Sequence, residues 1–179
     1  MIGLFKIETQ MTKGTGKFEK AGLGNNREAK ESAEMAFKYL RANGKLISGE
    51  ISIKNNDYVV NYQDLKGIGM TSNLTLSTYI AICSAALNKP IISSAVILGD
   101  LSIGGTIIKV SELANVLQVC LDSGAKKVLL SMTSATDLAT VPPDLIGAFN
   151  LIFYSTAEDA VFKLSLIHIS EPTRLGMIS

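Results

Sequence analysis

Serine, cysteine, histidine and a glycine-rich lysine loop are the residue types here that could do chemistry, and most are disqualified by their spacing. GTGK at Gly14–Lys17 suggests a phosphate cradle, but a P-loop requires GxxxxGK[ST]; Met11 stands where the first glycine is needed, and Phe18 follows the lysine. The loop therefore reads as a hairpin turn. GLG at Gly22–Gly24 lacks the third glycine of a dinucleotide fingerprint and reads as the turn before a helix. Cys83 and Cys120 have no CxxC spacing and sit in apolar helical patterns. Lys126-Lys127 suits a solvated helix exit. The single histidine, His168, falls within LSLIHISEPTR at Leu164–Arg174. That string resembles one reading frame of a transposase-type sequencing adapter, so residues 164–179 are taken as non-native and left out of fold reasoning. The native sequence is expected to diverge after Lys163. Residues 1–163 contain no histidine, which excludes a Ser-His-Asp triad, a Cys-His pair and a zinc site of the usual histidine type. No metal site and no cofactor site is expected in this segment.

The elements that must position any site follow from composition and periodicity. The chain has 179 residues, 47% hydrophobic and 18% charged, with Lys+Arg 17 against Asp+Glu 16. This is the make-up of one globular domain with no membrane span, here residues 1–163. A net charge of +1 gives no polybasic stripe, so tight nucleic-acid binding by this segment alone is not indicated. Unpaired cysteines and no apolar leader point to the cytoplasm. Strand-like alternation in Gly3–Gln10 and a return through Lys17–Ala21 predict a hairpin that opens a β-meander. Asn25 or Asn26 caps a helix with Ala29, Ala33, Ala36, Phe37 and Leu40 inward, ending at Asn43-Gly44. Asp57–Tyr62 is a strand, and Leu74–Leu87 is a nearly uncharged, hence buried, helix stopped by Asn88-Lys89-Pro90. Ser94–Leu98 and Thr106–Val110 form a second hairpin through Gly104-Gly105. Ser111 caps a helix with Leu113, Val116, Leu117, Cys120 and Leu121 inward, ended by Gly124. Lys127–Leu130 is a core strand, Pro142-Pro143 opens a short helix, and Leu151–Tyr154 is the last strand. Ser155-x-x-Glu158 is a capping box for a helix ending near Lys163. The expected fold is α+β (mixed α/β), with β-hairpins and a mixed sheet packed with helices.

Taken in order, KGTGKFEKAGLG, KESAEMAFKYLRAN, STYIAICSAAL with NKP, VILGDLSIGGTIIKV and ELANVLQVCLDSGAKKVLL resemble the proteolytic domain of the Lon family. Within it, GLFKIETQ, TVPPDL and FYSTAEDAVFK are similar to the Lon-like end of AAA+ ATPases of BREX phage-defence systems. The resemblance implies a Lon proteolytic-domain fold and a serine nucleophile with a lysine base, a pair that needs no histidine. It places the nucleophile at Ser77. Ahead of the serine the family has Asp-Gly-Pro, and here stand Leu74, Thr75 and Leu76; after it the family has Ala-Gly, and here stand Thr78 and Tyr79. The family's lysine base falls at Val116, and a second lysine of that motif at Ala114; Gly-Glu becomes Gly99-Asp100 after Leu98. Lys109 is a candidate substitute base, although no lysine lies on the helix itself between Lys109 and Lys126. Two functions follow. One is a peptidase-inactive domain serving assembly of a homo-oligomeric, hexameric ring, in which Ser77 only lines a helix and Val116 packs in the core. The other is an active ATP-dependent Ser-Lys peptidase domain. Either way the resemblance implies ATP and Mg for the full-length protein only, DNA contacted through that protein, and other BREX components as partners.

Overall fold

The computed structural model describes residues 2–48, 51, 53–92, 94–166 and 175–178. Its elements are β1 (Leu4–Lys13), β2 (Phe18–Ala21), α1 (Arg27–Asn43), β3 (Asn56–Asp64), α2 (Thr75–Ala86), β4 (Ala95–Leu98), β5 (Asp100–Leu101), β6 (Ile107–Ile108), α3 (Leu113–Asp122), β7 (Lys127–Ser131), α4 (Pro143–Gly147), β8 (Asn150–Tyr154), α5 (Ala157–Leu166) and β9 (Leu175–Ile178). A mixed sheet runs in the order β2-β3-β1-β9-β4-β7-β8, and β5 pairs with β6 apart from it. This is the expected mixed α/β architecture.

Side-chain parity divides the interior into two layers. In β4 and β7, Ala95, Ile97 and Leu129 face the core shared with α1, α2 and α5, while Val96, Leu98, Val128 and Leu130 face a second core under α3 and α4. Strands covered on both faces need unbroken apolar runs, which AVIL and VLL supply. In β3 only alternate residues, Tyr58, Val60 and Tyr62, are buried, and Val59 is exposed. That half of the sheet is covered on one side. The alanine-lined face of α1 (Ala29, Ala33, Ala36) lets it approach α2, which is buried from Thr75 to Ser84. Asn26 caps α1 as expected, its Oδ1 accepting the Ala29 N–H at 3.0 Å.

Several expectations are corrected. β1 and β2 do not form a hairpin: β3 lies between them, antiparallel to β1 and parallel to β2. The loop joining β1 and β2 is held by a distant strand, because Asp57 Oδ1 accepts the N–H groups of Thr15, Gly16 and Lys17 at 2.9, 3.0 and 2.8 Å. A Cβ on Gly14 would lie 2.0 Å from that carboxylate, so glycine is required there. The second hairpin is β5 with β6, and Ala95–Leu98 belongs to the main sheet. Gly99, at φ +138, turns the chain between the two, and a Cβ there would meet Tyr154 Oη at 2.1 Å. Glu112, left-handed at φ 52, precedes α3 in place of Ser111. The last capping interaction is shifted by one residue: Thr156 Oγ1 accepts the Asp159 N–H at 3.0 Å, and Asp159 accepts the Ser155 N–H at 3.1 Å. Glu158 turns inward instead and accepts the Tyr39 hydroxyl at 2.9 Å. α5 runs past Lys163 to Leu166, with Leu164 buried in the core. His168, Glu171 and Arg174 lie outside the described residues, whereas Leu175–Ile178 form β9 within the sheet.

Candidate functional site

The N-terminus of α2, the β4–β5 turn and the start of α3 converge on one region. Leu74 cannot cap α2 with its own side chain, so the free amides of the first turn are met from elsewhere. Ser32, on α1, accepts the Leu74 N–H at 2.9 Å, and the Thr75 hydroxyl donates to the Ser32 carbonyl at 2.9 Å. Asp100 Oδ1 accepts the N–H groups of Thr75 and Leu76 at 3.2 and 3.3 Å. Burial pushes the Asp100 carboxyl above its ordinary value, opposed by backbone hydrogen bonds from Leu101, Leu76 and Thr75. The family resemblance singled out Asp100 only as the partner of Gly99; the signal for its role is that α2 opens with no Ser, Thr, Asp or Asn at Leu74.

Ser77, in the first turn of α2, is 0% exposed, and its hydroxyl donates to the Leu74 carbonyl at 3.3 Å. Tyr79, two residues on, is also 0% exposed and stacks edge-on against Tyr39. Its hydroxyl is driven up by burial and by nearby Cys83 and Glu158. Cys83, on the same helix, is likewise pushed up by burial, the opposite of a reactive thiolate.

Position 116 lies on the first turns of α3, with Val116 3% exposed in the second core. Val116 and Lys109 also share the wall of a cleft of about 250 Å³ with Asn73, Gly99, Asp100 and Glu112. Ser77 is not among the residues lining this cleft. The Lys109 ammonium sits 3.0 Å from Asp137 Oδ2 with its side chain 45% exposed. A lysine acting as base is expected in an apolar, desolvated setting, which this one lacks. The structure thus brings Lys109 and Val116 together beside Asp100 and leaves Ser77 in the packed interior. Acyl transfer needs a reachable hydroxyl, a base within hydrogen-bond distance of it, and free donors for the developing oxyanion. The Leu74, Thr75 and Leu76 amides ahead of Ser77 already bond Ser32 and Asp100.

Among the described residues no group of three His, Cys, Asp or Glu side chains could hold a metal ion, and no helix is long and apolar enough to cross a membrane.

The sequence is similar to known proteins over nearly its whole length. A "Lon-like protease BrxL" from Bacillus cereus (strain H3081.97) is 58% identical over 163 residues, 91% of this chain and 24% of the relative. Another BrxL, from Escherichia coli O9:H4 (strain HS), is 42% identical over the same shares. A "Lon protease" of Endomicrobium trichonymphae is 26% identical over 151 residues, 83% of this chain and 18% of the relative. The chain therefore spans about a quarter of the length of the BrxL proteins it matches. The family model for the Lon protease (S16) C-terminal proteolytic domain matches residues 3–168. This BrxL-like chain belongs to the Lon protease C-terminal proteolytic domain family.

Proposed function

We propose that this domain has the Lon fold without Lon chemistry, and that it serves as an assembly and coupling domain of a BREX-type AAA+ ATPase in phage defence. The observation that carries the reading is the complete burial of Ser77, with valine at the lysine position and the candidate substitute Lys109 paired with Asp137. On this reading the domain packs with copies of itself in a hexameric ring, in the cytoplasm. ATP and Mg are handled by other parts of the full-length protein, which contacts DNA and the other BREX components. The test is labelling of the full-length, assembled protein by a serine-directed phosphonate. No label at Ser77, with assembly of Ser77→Ala unchanged, is expected; stoichiometric labelling abolished by Ser77→Ala would overturn the reading.

One observation favours a second reading, an active ATP-dependent Ser-Lys peptidase domain. Lys109 and position 116 line the same cleft as Asp100, beside the α2 terminus. A ring that labels at Ser77 and loses peptide hydrolysis in Lys109→Met would support it.

A further inference from the structure

β9 sits in the middle of the sheet, yet it comes from the far end of the chain. Leu175–Ile178 pair antiparallel with Leu4–Ile7 of β1 and parallel with Ala95–Leu98 of β4. Among the described residues, this four-residue strand is what joins β1 to β4 in the sheet. Without it, each would present a row of unpaired N–H and C=O groups. The sheet half bearing β2, β3 and β1 would then meet the half bearing β4, β7 and β8 through side-chain packing in the two cores, without a backbone ladder.

We propose that β1 and β4 frame a strand-acceptor slot, filled by an extended segment downstream of α5 and able to take such a peptide in trans. One reading and one observation beyond the pairing support it. First, on the reading of residues 164–179 as non-native, a foreign tail fills the slot; such a tail suffices because the affinity in strand addition comes from main-chain hydrogen bonds, which any extended sequence offers. Second, the slot has an unfilled side pocket. Lys6 and Val96 are in register with Gly176 on either side, and both line an open groove of about 320 Å³ with Leu4, Leu65 and Ala125. Alternate positions of an added strand select side chains, and glycine is the residue that offers none. The slot therefore prefers an extended segment with a branched apolar residue at the position of Gly176.

The test uses a chain ended at Arg174 and a synthetic peptide of residues 173–179, read by amide hydrogen exchange and light scattering. Leu4–Ile7 and Ala95–Leu98 should lose protection on truncation and regain it saturably with the peptide. A Gly176→Val peptide should bind about fivefold tighter, and a Gly176→Pro peptide should not bind. Protection unchanged by truncation would mean that β1 and β4 close on each other, and would overturn the proposal. Dimerisation of the truncated chain in place of peptide binding, which puts a second copy in the slot, would overturn it too. Should the truncated chain fail to fold, Gly176→Pro in the full chain gives the same reading, with protection retained in both strands as the overturning result. Neither outcome bears on peptidase activity, so the proposal and the assembly reading fail separately.

Discussion

Ser77→Ala removes a hydroxyl whose 3.3 Å bond to the Leu74 carbonyl closes within its own helix. The expected cost is about 1 kcal/mol by chemical denaturation, the usual net contribution of a hydrogen bond, and that carbonyl still accepts the Thr78 N–H. Val116 behaves differently. Val116→Asp puts a short carboxylate into the core that also holds Leu113, Leu117 and Leu130 and should cost about 3 kcal/mol. Val116→Lys should cost less, since a long stem can carry its ammonium into the adjoining cleft. It should still generate no peptidase activity, because Ser77 stays buried; hydrolysis of a fluorogenic peptide by Val116→Lys would refute this. Both positions were legible from a motif, and their surroundings were not. Nothing local to STYIAIC says that Tyr79 packs on Tyr39, forty residues earlier in the chain, or that Asp100 comes back to bond Thr75 and Leu76.

Where α1, α2 and α3 run was readable from apolar spacing, and α4 and α5 from Pro142-Pro143 and a capping signal; how the strands pair was not, because pairing joins residues far apart in the sequence. The β1–β2 loop shows this. Asp57 holds its three amides, and these hydrogen bonds lower the Asp57 carboxyl below its ordinary 3.8. A depressed carboxyl stabilises the fold above its unfolded value and loses that contribution as pH falls through the folded one. Asp57→Asn should therefore be less stable than the parent at neutral pH, with the difference shrinking as pH falls through the folded carboxyl's value. Exchange of the Thr15, Gly16 and Lys17 amides should quicken at neutral pH. Asp100 has the opposite sign. Its raised carboxyl favours folding at low pH, and this contribution is lost as pH rises through the folded value. Asp100→Asn, which keeps an oxygen for the Thr75 and Leu76 amides, should match or exceed the parent in stability at pH 7. Asp100→Ala should uncap α2 at about 1–2 kcal/mol. Thermal melts of the pair from pH 3 to 8 distinguish cap from charge.

At the scale of the molecule, two cores on either side of one sheet account for most of the apolar surface, and a few large apolar side chains remain outside both. Ile103 is 70% exposed and Ile108 50%, both on the small β5–β6 hairpin. They border the surface around Asn73 and Asp100, on the same side as the α2 terminus. A monomer gains nothing by holding two isoleucines in water on one hairpin, whereas a ring subunit can bury them against its neighbour. Neither residue belongs to a core, so polar replacement should leave folding intact. On the assembly reading, Ile103→Ser with Ile108→Ser should leave the melting temperature within about 2 °C and weaken self-association at least tenfold by sedimentation velocity. A double variant that assembles like the parent would move the contact surface elsewhere on the domain while leaving the buried Ser77 and its consequences untouched. A double variant that unfolds would instead show that the hairpin is part of the core that α2 shares with Leu101, and that its exposed isoleucines hold the turn rather than a partner.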